Sequence, residues 1–315
     1  MINVIKMMLA QEYKQELVSD SGTYNISQKL DGARYNIHLS KGKVEIIGRH
    51  SKKLNNYKYP EIESEAIPLI SDEEITLDGE MAISTTNGIW EMTNFNALAS
   101  REHTENAKQI QLLSRMLPAK FIVFDIITND TITLPLKERM EIMQKYFGQY
   151  PNLKRIQPIY NLNGGMGLAN KLFQQAYKLG LEGIMIKKLD SLYEDRRSDA
   201  WLKWKCYKEA DEKIIGYTSK ERQISALILE SGSKVNAIID DYWKDIILKQ
   251  DISTTKESTE EVQRYFSKPS LTAVIKYLER TDNNIMRFPI LKEIRGFPIL
   301  KEIRGRYNGK ENKKG

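Results

Sequence analysis

The chain has 315 residues, 48 Lys+Arg against 42 Asp+Glu, and a formal net charge of +6. Its 41% hydrophobic and 29% charged residues give an ordinary soluble globular profile, which excludes global disorder and collagen-like or low-complexity organisation. The length predicts two domains, the single Cys206 excludes an internal disulfide framework or a multi-cysteine zinc ribbon, and no stretch approaches the roughly 18 apolar residues of a membrane span.

The opening run Met1 to Ala10 is interrupted by Lys6 and leads straight into Gln11-Glu12, a poor secretory signal. Thr23 to Leu30 reads as a strand, followed by a hairpin of Ala33–Ser40 and Val44–Arg49 around Lys41-Gly42-Lys43. Glu74–Ile83, Phe121–Thr128 and Gly183–Lys188 are further strands, rich in Ile, Val, Phe and Met. Leu168, Leu172, Phe173, Ala176 and Leu179 fall at helical spacing before Gly180, and the loop Asn163–Gly167 reads as a plain turn. After Tyr207 the texture changes. Lys208–Glu212 is a short polar stretch, then come the β-rich runs Ile214–Thr218, Ile224–Leu229, Val235–Ile239 and Thr272–Leu278, which predict a small barrel. Asp251–Glu261 reads as a long loop or exposed helix. Phe288–Gly296 and Phe297–Gly305 spell FPILKEIRG twice, too short a period for a solenoid and read as a local tandem duplication. Nine basic and three acidic residues from Arg287 onward account for the whole net charge, and such a basic tail suits a polyanionic partner.

There is no G-x-x-x-x-G-K-[ST] loop, no G-x-S-x-G elbow and no H-E-x-x-H, and His38, His50 and His103 lack metal-ligand spacing. The informative segment is Lys29-Leu30-Asp31-Gly32-Ala33-Arg34. Lys29 and Asp31 share parity at the end of an apolar strand and point to one face, and Gly32 permits a sharp reversal. A lysine in such a cleft is a nucleophile when cations or burial lower its pKa from about 10.4. Asp78-Gly79-Glu80 and Glu182-Gly183-Ile184-Met185-Ile186-Lys187 each offer a carboxylate for a sugar hydroxyl or Mg²⁺. Alternation sets Glu182 opposite Met185 and Lys187, so bringing all three inward needs a bulge at Gly183. In Trp201-Leu202-Lys203-Trp204-Lys205, the two lysines share a face with Trp201 while Leu202 and Trp204 take the other.

In this order the motifs resemble the ATP-dependent DNA ligases, within the covalent nucleotidyltransferases that include RNA ligases and mRNA capping enzymes. The resemblance runs from about Met8 to Arg295. It implies an α+β fold: an ATP-grasp-like nucleotidyltransferase domain with antiparallel sheets and flanking helices over residues 1–207, then a small β-barrel, an OB-fold, over 208–315. It implies that Lys29 attacks the α-phosphate of ATP to form lysyl-AMP, with Gln28 and Leu30 flanking it at the nucleotide. Arg34 and Arg49 match phosphate-contacting arginines, and Glu80 the glutamate that holds the ribose and supports metal. Phe124, in Val123-Phe124-Asp125-Ile126, matches the aromatic stacked on adenine, Met185 the apolar residue on adenine's other face, and Glu182 a metal-linked glutamate. Lys203 and Lys205 match the lysines on the α-phosphate. Arg287 and Arg295, in the first repeat copy, match the basic cluster that orients pyrophosphate, with Arg304 a weaker candidate because Gly296 stands where Arg287 does in the first copy.

The cofactors implied are ATP and Mg²⁺, and the partner is nicked double-stranded DNA, acted on by a monomer with no membrane association in a bacterial or infected-host cytoplasm. The two-domain form is similar to small viral and bacterial accessory ligases, with none of the large N-terminal DNA-binding domain of nuclear ligases. Ser27 stands where many relatives have a glutamate, which leaves base reading to backbone groups. An RNA ligase or capping guanylyltransferase of the same superfamily is the nearest alternative, and a non-catalytic DNA-binding relic the next.

Overall fold

A computed structural model describes residues 6–19, 21–49, 55–220, 223–236, 239–258, 261–281 and 283–296. The second repeat copy, Arg304 and the basic residues beyond it lie outside the described residues, as does His50. The chain divides into two compact units, Met1–Cys206 and Tyr207–Gly315. No helix among the described residues is long and apolar enough to cross a membrane.

Among the described residues the first unit contains twelve strands: β1 (Leu9–Glu12), β2 (Tyr24–Gln28), β3 (Ala33–Ser40), β4 (Lys43–Gly48), β5 (Ile75–Ala82), β6 (Ser84–Asn87), β7 (Trp90–Thr93), β8 (Lys120–Ile127), β9 (Ile156–Pro158), β10 (Asn161–Gly164), β11 (Gly183–Lys188) and β12 (Arg197–Lys205). Its helices are α1 (Pro60–Ala66), α2 (Phe95–His103), α3 (Ala107–Met116), α4 (Leu136–Gly148) and α5 (Met166–Lys178). One five-stranded sheet runs β1-β12-β11-β2-β10 and another β4-β3-β5-β8-β9, and β6–β7 is a separate hairpin. Most pairings are antiparallel, with β1–β12 and β8–β9 parallel.

Period-2 alternation gives each sheet two distinct faces. In the second sheet Ile37, Leu77, Met81, Phe121 and Val123 form a core with Met140, Met143 and Phe147 of α4. In the first sheet Ile26, Ile184, Ile186 and Leu202 pack with Met166, Ala169, Leu172 and Ala176, which recur at helical spacing along α5. The remaining faces meet in two small clusters: Met8, Ile127, Tyr193 and Trp201, and Leu30, Ile122 and Ile159, with Phe124 packed against both. Charged residues are threaded between these clusters.

The second unit is a seven-stranded sheet of β13 (Lys208–Lys220), β14 (Gln223–Leu229), β15 (Lys234–Asn236), β16 (Ile252–Glu257), β17 (Val262–Phe266), β18 (Leu271–Tyr277) and β19 (Ile290–Arg295), with α6 (Asp241–Leu248). β13 is shared: Lys208–Ile214 pairs with β18, while its latter half pairs with β14 and β17.

Three local expectations are corrected. Lys208–Glu212 is strand, because each residue pairs with β18 even though its side chains are polar. Within Asp251–Glu261, residues Ile252–Glu257 are strand, not loop or helix. Ile252–Glu257 is a fully exposed strand paired only with β17, so its polarity reflects an edge position. The Asn163–Gly167 turn is the end of β10 followed directly by α5.

Candidate active site

The register of three neighbouring strands lays out the site in rows. On the face of β2, β11 and β12 turned away from α5, Asn25, Lys187 and Trp201 form one row, and Ser27, Met185 and Lys203 the next. The third row is Lys29, whose backbone N–H donates to the Gly183 carbonyl at 2.9 Å, then Gly183, then Lys205. Polarity thus changes down the face, from an aromatic–cation pair through a thioether to a charged end.

Glu182 joins the charged end through Gly183. No bulge lies at Gly183; instead its φ is +146, a conformation that side chains other than glycine rarely adopt. A β-carbon there would also run into the Trp204 carbonyl. The Glu182 carboxylate accepts from Lys29 Nζ at 2.6 Å. Gly32 plays a related part for a different reason: its φ is not left-handed, but a β-carbon would collide with the Met81 carbonyl and the Glu80 side chain. Close approach of β3 to β5 beside Lys29 therefore depends on having no side chain there.

The opposing sheet contributes Glu80, Asp78, Arg34 and Phe124. Arg34 Nε and Nη2 hold both Asp78 oxygens at 2.9 and 2.6 Å, and its Nη1 donates to the Met8 carbonyl. Register slips between Asp78 and Gly79, whose β8 partners are Asp125 and Val123, so Phe124 has no partner on β5. That bulge turns Phe124 toward Trp201, with ring centroids 6.2 Å apart and the rings edge-on. Beside it, the buried Asp125 is gripped by Arg139 of α4 through two 2.9 Å bonds.

The electrostatics show what this packing costs. Burial raises the Glu80 carboxyl to about 8, with Lys29 and Arg34 opposing and Glu182 and Asp78 adding to the rise. Burial also raises Glu182, against the pull of Lys29. Lys205 is lowered by burial, partly offset by Glu182. Glu12 of β1 caps both β12 lysines, at 3.1 Å from Lys203 Nζ and 3.9 Å from Lys205 Nζ. Glu12 was not foreseeable from the motifs, because β1 reaches β12 across nearly the whole unit.

The structure therefore brings together Lys29, Arg34, Glu80, Phe124, Glu182, Met185, Lys203 and Lys205 within one unit. Leu30 is buried with Ile122 and Ile159 and packs against Phe124. Gln28 differs: alternation places it on the α5 side, where its amide donates to the Glu91 carbonyl and accepts from the Glu91 N–H, both at 2.7 Å. Its side chain is thus committed to β7 rather than to the site. Arg49 is exposed at the end of β4, and its backbone N–H donates to the Arg34 carbonyl. Arg287 and Arg295 belong to the second unit. There Arg287 pairs with Glu279 and lies 5.4 Å from the Phe288 ring, while Arg295 pairs with Glu293 and Asp211.

Residues 7–205 match the family model for the ATP dependent DNA ligase domain, and the chain belongs to that family. It is 27% identical over 221 residues to the SPbeta prophage-derived DNA ligase-like protein LigB of Bacillus subtilis, covering 69% of this chain and 73% of that protein. It is 29% identical over 212 residues to a DNA ligase of Nitrosopumilus maritimus, covering 65% of this chain but only 35% of that protein's length. The fold is shared with a Lig E DNA ligase (TM-score 0.66, 17% identity, 93% of this chain and 100% of that one). It is shared also with the ATP-dependent DNA ligase of bacteriophage T7 in complex with ATP (TM-score 0.51, 17% identity, 93% and 99%).

Proposed function

We propose that the protein is an ATP-dependent DNA ligase that seals 5′-phosphate/3′-hydroxyl nicks in duplex DNA, with Lys29 as the nucleophile. The observation that carries this reading is the charged row: a lysine on a carboxylate, with Lys205 beside it and Lys203 one row away. Lys29 Nζ forms a bond to the α-phosphorus of ATP as the bond to pyrophosphate breaks. The ammonium must first lose a proton, and Glu182 is the acceptor within hydrogen-bond reach. Lys203 and Lys205 take the α-phosphoryl oxygens after leaving Glu12, and the fixed cations stabilise charge that develops in the transition state. The adenine lies between Phe124 and Met185, one row from the phosphates. AMP then passes to the 5′-phosphate at the nick, and attack by the 3′-hydroxyl releases it, a step favoured by both ends being held on one duplex.

Glu80 and Glu182 fit a hard divalent cation, since each is a largely desolvated carboxylate with a raised pKa and Glu182 adds to the rise of Glu80. No group of three or more His, Cys, Asp or Glu able to hold a metal ion occurs among the described residues, so water and phosphate oxygens would complete the shell of Mg²⁺. When bound, the ion supplies charge neutralisation at the phosphoryl oxygens. The second unit is read as an OB-fold in which Arg287 and Arg295 orient pyrophosphate.

Incubation with α-labelled ATP and Mg²⁺, followed by a denaturing gel, tests the reading. An acid-labile label on the unaltered chain, absent from Lys29→Ala and Lys29→Arg, is expected, because arginine stays protonated. Label on either variant overturns the assignment. Faster sealing of a DNA nick than of the matching RNA nick is expected, and the reverse preference overturns the substrate class.

A further inference from the structure

Lys187 is a buried lysine to which the proposed reaction gives no task. It is 3% exposed, and no hydrogen-bond acceptor or ion-pair partner meets its ammonium among the described residues. Its neighbours are rings: Nζ lies 3.8 Å from the Trp201 ring centroid and 4.7 Å from that of Phe124. Trp201 is its direct cross-strand partner, whereas Phe124 arrives from the other sheet through the bulge on β8. The Trp201 indole N–H is also buried without an acceptor. Burying an ammonium without an acceptor is costly, and an apolar side chain of that size would pack here at lower cost. An ammonium over two ring faces does what methyl groups cannot: it attracts both rings by their quadrupoles and holds their planes in a set relation.

We propose that Lys187 is the positioning residue of the base pocket, clamping Phe124 against Trp201 so that the phenyl ring is held in the attitude that receives the adenine. The inference rests on the ligase reading of Phe124 and Met185. It places Lys187 one row beyond Met185, at the end of the face away from Lys29, so it acts on the base and not on the phosphates. The charged groups around it are Asp125 of β8 and Asp78 of β5, which favour its protonation, and Arg34 of β3 and Arg139 of α4, which oppose it; Tyr193 donates to Asp78 at 2.7 Å. Burial outweighs the two carboxylates and lowers the ammonium to about 8. Arg34 also lies over both rings, its Cζ 5.2 Å from the Phe124 centroid and 5.9 Å from that of Trp201, and stays charged, so the clamp weakens above that pH by the share that Lys187 supplies.

The test compares Lys187→Met and Lys187→Arg with the unaltered chain, reading the ATP dependence of lysyl-AMP formation and the thermal midpoint. For Lys187→Met, the expected result is a KM for ATP raised about tenfold, a maximal rate within about twofold of the unaltered chain, and a midpoint that is unchanged or higher. Lys187→Arg, which keeps a cation, restores most of the ATP affinity. In the unaltered chain KM rises as the pH passes through 8, and that rise is absent from Lys187→Met. An unchanged KM in Lys187→Met overturns the inference, and so does a raised KM accompanied by a lowered midpoint, which marks a packing role. Absence of lysyl-AMP on the unaltered chain removes the ligase reading together with this one, whereas normal lysyl-AMP with unchanged KM removes this one alone.

Discussion

The first unit buries charge and the second displays it. Arg101, Asp78, Asp125, Arg139 and Lys187 are all under a tenth exposed, and Arg139–Asp125 is sealed completely. In the second unit Lys292–Glu209 and Arg295–Asp211 have both partners roughly half exposed. Taking charge out of water is costly and is offset only where hydrogen bonds satisfy it in fixed geometry. Fixed geometry is what transfer at one phosphorus atom demands. Exposed charge remains mobile and screened, which suits association with a polyanion through counterion release. The contrast therefore points to chemistry in the first unit and to electrostatic attraction in the second.

The sharpest way to break this comparison is Lys29→Ala, which should abolish ATP-driven sealing, with some fall in thermal midpoint because Glu182 loses its partner. Next in size is Arg139→Met, which leaves Asp125 buried and unpaired; a loss of about 3–5 kcal/mol in a denaturant melt is expected. Gly183→Ala should cost about 2–4 kcal/mol in the same assay, from the collision with Trp204 and the strained φ. It should also slow lysyl-AMP formation by displacing Glu182.

Glu80 gives a subtler signature. Its carboxyl is raised from 4.5 to about 8, so between those values the folded chain binds more protons than the unfolded one. Its contribution to stability is full below 4.5 and is lost as the pH rises through 8. Glu80→Gln should remove that part of the pH dependence of the melting midpoint while depressing lysyl-AMP formation. The smallest effect belongs to Arg295→Ala. It should leave the midpoint unchanged but reduce the slope of log DNA affinity against log salt by about 1 if the residue meets a phosphate.

Much of the site was legible locally. The strand into Lys29 and the division of Trp201 from Leu202 and Trp204 follow from period-2 alternation, a property of the backbone itself. The same periodicity misjudged polar strands. Lys208–Glu212 and Ile252–Glu257 carry no apolar alternation because much of their surface faces solvent, so only the pairing with β18 and β17 reveals them.

What the sequence by itself determined was the face on which each side chain of a strand would fall and the order of chemical groups along the chain. Tertiary structure alone decided which groups meet. Lys29 and Glu182 are 153 residues apart and come within 2.6 Å only because β2 pairs with β11 and Gly183 accepts a left-handed φ. Phe124 reaches Trp201 and Lys187 through a one-residue slip against β5, and Glu12 reaches the β12 lysines through a parallel pairing from near the start of the chain. Alternation is local and repeats every two residues, whereas strand partners and register are set by burial summed over whole sheets, which no short stretch of sequence contains.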